Sequence, residues 1–140
     1  MPYNRKMDLI IYTDGGSLNN PGPAACSFLI YRGKKLLYKE AFFLGVASNN
    51  VAEYSGLIKA LEKVRDIKKA HAVSSLVCFA DSKLLIMQMS GLYKIKHPDM
   101  KRLSSQIKLL EMEIGIVPSY KHIPREKNQL ADALVEEVLT

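Results

Sequence analysis

Ile11-Tyr12-Thr13-Asp14-Gly15-Gly16-Ser17-Leu18-Asn19-Asn20-Pro21-Gly22-Pro23 is the stretch around which the rest of the chain arranges itself. An apolar run, Leu9 to Tyr12, leads to one carboxylate, Asp14. Two glycines follow, then a polar turn closed by Pro-Gly-Pro. Apolar run, acid, glycines: this reads as a buried strand that presents an acid at its end, where the backbone can be approached closely. A turn in which Asp14 caps its own backbone would use the same residues. The choice depends on whether other acids are brought to the same place.

The flanking sequence supplies an α/β pattern. Met7 to Thr13 is a first strand, Ala24 to Tyr31 a second, and Leu36 to Leu44 a third, with a hairpin turn at Arg32-Gly33-Lys34. The three predict an antiparallel meander. A helix then starts near Asn50, which can cap with Glu53 three residues on, and the Leu57, Ala60, Leu61, Val64 spacing carries it to about Asp66. Val73 to Ala80 is a fourth strand ending in Asp81, and Ser82 to Met89 a short helix. Leu92 to Pro98 is a linker with Lys94, Lys96 and His97. A helix over Asp99 to Glu113 keeps an apolar stripe and stops at Gly115. Ile116 to Ile123 is a fifth strand, which Pro118 assigns to an edge. A loop, Pro124 to Lys127, leads to a last helix, Asn128 to Leu139. No internal repeat, low-complexity segment or linker divides the chain, so residues 1–140 read as a single domain.

The composition sets limits on function. Hydrophobic residues make up 48% of 140, enough for a real core. No apolar run is long enough for a membrane span, and Met1 to Lys6 is polar and basic without a signal-peptide core, so a cytoplasmic protein with no membrane partner is expected. Cys26 and Cys78 lie inside apolar runs and read as buried thiols; two lone cysteines make no zinc site. Twenty bases against 14 acids give +6, a weak pointer to a polyanionic partner.

Strands one and four each deliver an aspartate, Asp14 and Asp81. As parallel neighbours they would place both acids at the carboxyl edge of the sheet, where ligands of such sheets bind. Glu53 and Asp132 stand near the starts of helices packed on that sheet, each on the buried side. For Glu53 the competing reading is the return half of a capping box. Four converging carboxylates repel one another unless hard divalent cations relieve them, and oxygen ligands favour magnesium or manganese. Two such ions can activate a water and stabilise the leaving oxygen of a phosphodiester. An acidic, metal-filled pit in a basic surface suits a nucleic-acid nuclease.

The chain resembles the type 1 ribonuclease H family over nearly its whole length. The resemblance is carried by Tyr12-Thr13-Asp14-Gly15-Gly16-Ser17 with Asn20-Pro21-Gly22-Pro23, by Asn49-Asn50-Val51-Ala52-Glu53-Tyr54, by Ala80-Asp81-Ser82, and by Ile123-Pro124-Arg125-Glu126 with Asn128 and Ala131-Asp132. It implies a ribonuclease H-like fold: a five-stranded mixed sheet, order 3-2-1-4-5, flanked by helices. It also implies an endonuclease acting on the RNA strand of RNA–DNA hybrids, leaving 5′-phosphate and 3′-hydroxyl ends; a monomer is expected. Asp14, Glu53, Asp81 and Asp132 match the family's metal-binding acids, for two magnesium ions with manganese as substitute. Asn20, Asn49 and Asn50 match positions that contact the hybrid's minor groove, with Gly15 beside them as an open backbone position. Ser48 matches a position that holds a DNA phosphate. Such contacts read shape and 2′-hydroxyls. Helix capping competes for Asn49 and Asn50.

The chain departs from the family in two places. Many members insert a basic helix and loop where this chain has only Gly91 to Pro98; Lys94, Lys96, Lys101 and Arg102 replace part of its charge or are simply solvated. Many members also carry a histidine on a glycine-containing loop before the last helix. This chain has His122-Ile123-Pro124-Arg125-Glu126-Lys127-Asn128, which favours His122 as a structural residue and Arg125 as the catalytic assistant, the reverse assignment being the alternative. A salt bridge to Glu126 or a helix-end acid competes for Arg125. Two other functions fit less well. A non-catalytic hybrid-binding module would have lost an acid, and a DNA nuclease of the same fold, such as a transposase or junction resolvase, would not call for the asparagines.

Overall fold

The computed structural model describes residues 6–140, so the N-terminal segment read above as lacking a signal-peptide core lies, Lys6 apart, outside the described residues. Five strands form one mixed sheet in the order β3-β2-β1-β4-β5, as expected. β1 (Met7–Ser17), β2 (Gly22–Arg32) and β3 (Lys35–Ala47) are the antiparallel meander. The β2–β3 hairpin turns on Gly33 at φ 60°, a left-handed value that a residue without Cβ adopts freely. β4 (Val73–Ala80) runs parallel to β1, and β5 (Ser119–His122) parallel to β4. The helices are α1 (Asn49–Lys68), α2 (Lys83–Met89), α3 (Pro98–Ile114) and α4 (Gln129–Leu139), with a 3-10 turn at Arg125–Lys127.

Alternation along β1 decides which layer each side chain meets. Leu9 and Ile11, with Phe28 and Ile30 of β2 and Cys78 of β4, bury against Leu57, Leu61 and Val64 of α1 and Ile107 and Ile114 of α3. The opposite face of β2 is covered by α4, pinned there by the Ser27 hydroxyl, which donates to the Ala131 carbonyl at 2.7 Å. Hence β2 is buried without interruption from Ala24 to Ile30. Cys26 and Cys78 are free buried thiols, and burial pushes the Cys26 thiol up to about 12. Among the described residues no helix is long and apolar enough to cross a membrane.

Several boundaries differ from expectation, β3 for one running on to Ala47, and three of the differences have a clear physical reason. β1 does not stop at Thr13. Its pairing with β4 ends at Thr13–Ala80, but Asp14 to Ser17 go on pairing with Ser27 to Ala24 of β2, so Asp14 stands inside the strand, at the point where one neighbour leaves it. The α1 cap is Ser48 rather than Asn50: its hydroxyl accepts from Val51 N at 3.2 Å. Glu53 therefore belongs to no capping box. β5 begins at Ser119, three residues later than expected, because Pro118 has no N–H for a ladder.

Candidate active site

Asp14, Glu53 and Asp81 come together at the carboxyl edge of β1 and β4. Each offers a carboxylate oxygen, and these oxygens lie within 4.8 Å of one another. Two glycines allow this. A Cβ on Gly15 would stand 2.3 Å from the Ala52 carbonyl carbon and oxygen, and one on Gly56 would stand 2.7 Å from the Asp14 carbonyl oxygen. With neither present, α1 lies directly on β1, and Glu53 reaches the acid that β1 carries. The space at Gly15 is thus filled by α1 backbone.

Asp132 arrives from the first turn of α4. It stands outside the three-acid group, yet its charge adds to the rise of the Asp14 carboxyl, and its Oδ1 accepts from the Arg125 guanidinium at 3.2 Å. Asn128 ties α4 to β1. Its side-chain Nδ2 donates to the Thr13 carbonyl at 2.9 Å, and its backbone carbonyl accepts from Asp132 N at 3.1 Å. Asn128 carried no role in the sequence reading. An asparagine just before an apolar helix normally signals a cap, yet this side chain makes no cap bond and spends its amide on the strand instead.

The electrostatics are those of a cluster lacking counter-charge. Burial first, and the neighbouring Asp81 carboxylate next, push Asp14 up to about 7. Burial, then Asp14 and Asp81, raise Glu53 well above the ordinary carboxylate range. Burial also raises Asp81, with the Arg125 guanidinium opposing it. Glu53 Oε2 and Asp81 Oδ2 are buried with no hydrogen-bond partner, although Glu53 as a residue is part-exposed. Orphaned anionic oxygens of this kind are costly. They suit a hard cation, which takes carboxylate oxygens as ligands and lowers these pKa values.

The remaining candidate residues fall into two groups. Next to the acids, the α1 start is stitched to the β1–β2 turn. Asn49 Oδ1 accepts from Ser17 N and Ser17 Oγ at 2.8 and 3.1 Å, and Asn49 N donates to Asn20 Oδ1 at 2.8 Å. Asn20, Asn49, Asn50 and Ser48 thus share one surface beside Gly15. Farther off, Lys94 and Lys96 stand exposed on the α2–α3 loop, with no ion pair among the described residues. His122 lies at the β5 terminus with Nε2 3.2 Å from the Asp81 carbonyl oxygen, fixed to the sheet as expected. Arg125 is exposed and pairs with Asp132 rather than Glu126.

Comparison with known proteins gives consistent matches. A family model described as reverse transcriptase-like matches residues 13–138. A bifunctional protein of Mycobacterium tuberculosis is 38% identical over 135 residues, covering 95% of this chain and 36% of that protein; the chain therefore spans little more than a third of the length of such curated relatives. LC11-RNase H1, solved in complex with an RNA/DNA hybrid, superposes with a TM-score of 0.88 at 39% identity, over 93% of this chain and 95% of that one. RNase H1 from the halophilic archaeon Halobacterium salinarum NRC-1 gives 0.85 at 33% identity, over 94% and 97%.

Proposed function

This chain belongs to the type 1 ribonuclease H family, and from that premise we propose that it hydrolyses the RNA strand of RNA–DNA hybrids with two magnesium ions held by Asp14, Glu53, Asp81 and Asp132. The observation that carries the reading is the meeting of three carboxylates within 4.8 Å, two of them with an orphaned buried oxygen. Bound magnesium, or manganese in its place, would supply an activated water and charge neutralisation at the leaving oxygen, giving 5′-phosphate and 3′-hydroxyl ends.

The chain's own residues do the rest. Asp14 and Glu53 must lose protons to hold a cation, so ion binding and proton release are coupled. Asn20 and Asn49 spend their side-chain oxygens on the turn–helix clamp, which leaves their Nδ2 donors to face minor-groove acceptors and 2′-hydroxyls, with Asn50 alongside. Ser48 and the α1 start would take a phosphate of the DNA strand. Arg125 stays protonated and cannot shuttle protons, but it can steady Asp132 and stabilise charge on a phosphate. His122 remains a part of the sheet edge.

One gel tests the reading: end-labelled RNA–DNA hybrid, RNA duplex and DNA duplex, each in magnesium and in EDTA. The expected result is magnesium-dependent cleavage of the hybrid's RNA strand with little sequence preference. Equal cutting of duplex DNA would overturn it. Within the site, Arg125→Ala should lower turnover about ten- to a hundredfold, the scale of a lost charge-stabilising group, while His122→Ala changes it by less than about threefold. The reverse ranking, with activity following a group that titrates near neutral pH, would exchange the two roles.

A further inference from the structure

We propose that Gln88 is a positioning residue for hybrid binding, holding the α2–α3 loop so that Lys94 and Lys96 form a fixed phosphate-gripping edge; the proposal rests on the hybrid-binding reading above. Gln88 is buried, and both ends of its amide are used. Its Oε1 accepts from the Tyr54 hydroxyl at 2.5 Å, and its Nε2 donates to the Lys94 carbonyl at 3.3 Å. The orientation is forced. A carbonyl can only accept, so the amide nitrogen faces Lys94, and the oxygen is left for the hydroxyl. Tyr54 is 1% exposed and follows Glu53 on α1. The chain Tyr54–Gln88–Lys94 therefore ties the helix that carries a candidate metal acid to the loop that carries the lysines.

The loop has no regular structure of its own. Leu92 and Tyr93 hang their N–H groups on the Met87 carbonyl at 2.8 and 3.1 Å, and Ile95 packs against the core. With Ile95 turned inward, Lys94 and Lys96 on either side of it stand exposed. Gln88 closes this set of anchors at Lys94 itself. A buried residue needed only to fill space would be apolar, since a buried amide must find partners. Here its partners are the site helix and the basic loop. A loop ordered before binding grips phosphates without the entropic loss of ordering it during binding, so two lysines can contribute to affinity with no basic insertion to support them.

The test uses the full chain and an RNA–DNA hybrid, with Kd measured in EDTA across a salt series and KM and kcat in magnesium. Gln88→Met should keep the fold and raise Kd and KM about three- to tenfold, with kcat falling less than about twofold. The slope of log Kd against log salt should flatten by about one to two, the share of two lost phosphate contacts. Gln88→Glu keeps the acceptor for Tyr54 but sets a second acceptor against the Lys94 carbonyl, so it should match Gln88→Met. In a Lys94→Ala/Lys96→Ala background, Gln88→Met should add nothing further. A Gln88→Met variant with wild-type Kd and slope, or one whose full effect persists without the two lysines, overturns the proposal while the function stands. Wild-type protein that neither binds nor cuts the hybrid overturns the functional reading and the proposal with it.

Discussion

Asp14→Asn is expected to abolish metal-dependent hydrolysis and, in EDTA, to raise the melting temperature. The catalytic part follows from position. Asp14 is 4% exposed and stands between Glu53, Asp81 and Asp132, so its loss removes a ligand from the centre of the cluster. Metal charge stabilisation amounts to several kcal/mol, and a rate loss of about a thousandfold or more follows. The stability part follows from the raised pKa. Asp14 moves from 3.8 to about 7 on folding. Between those values the folded chain holds a proton that the unfolded chain has released, so stability falls as pH rises through that window. Glu53 and Asp81 are raised as well and act in the same direction. Asn carries no charge, so it removes the decline due to position 14, worth on the order of a few kcal/mol by pH 7. The measurement is the difference between variant and wild-type melting temperatures from pH 4 to pH 8 in EDTA. The difference should grow with pH and level off above about 7. In magnesium the wild type should gain melting temperature, more at pH 8 than at pH 5 because protons compete with the metal, and the variant should gain much less. A difference flat in pH would show that Asp14 is not held protonated by burial and its acidic neighbours.

How far the site could be read from the chain depended on how local each feature is. The β4 limits, Val73 and Ala80, follow from an apolar run closed by an acid, and the structure has the same ones. The order of the strands came with the family resemblance, and the structure has the same one; the pattern by itself offered only a meander followed by helix-linked strands. Asp14 and Asp81 share an edge because Thr13 pairs with Ala80, a register that parallel neighbours ending in aspartate make natural. What sequence could not reveal were tertiary choices among equivalent local options. Ser48 and Asn50 are both competent caps, and the choice fell on Ser48 where Asn49 is clamped to Ser17 and Asn20. Gly15 and Gly16 look alike in the chain, and both remain in the strand because β2 pairs with them. Gln88 sits on a short helix with a buried face, where nothing local distinguishes it. Only the fold brings Tyr54 from 34 residues away to its amide.

Gly15→Ala is expected to do heavy harm for its size, and Gly16→Ala beside it little. At Gly15 the new methyl would meet the Ala52 carbonyl carbon and oxygen at 2.3 Å and Glu53 N at 2.5 Å. All three are backbone atoms of a helix, so no rotamer change relieves the clash; α1 has to lift from β1. Gly56 shows the same closeness from the other side, so the lift cannot be absorbed by sliding the helix along the strand. Overpacking of this kind costs about 3 kcal/mol or more, a fall of roughly 10 °C in melting temperature for a chain of this length. The lift also carries Glu53 away from Asp14 and Asp81. A displacement near 1 Å in such a constellation costs about a hundredfold in rate, so the protein that remains folded at 25 °C should be slow as well as unstable. At Gly16 the nearest atom is Val135 Cγ1 at 3.8 Å, an ordinary contact, and the expected change is within about 1 kcal/mol. Thermal melts and single-turnover rates of the two variants side by side decide the matter. Equal melting temperatures would mean that α1 does not rest on β1 at Gly15, and the close meeting of Glu53 with Asp14 would need another cause.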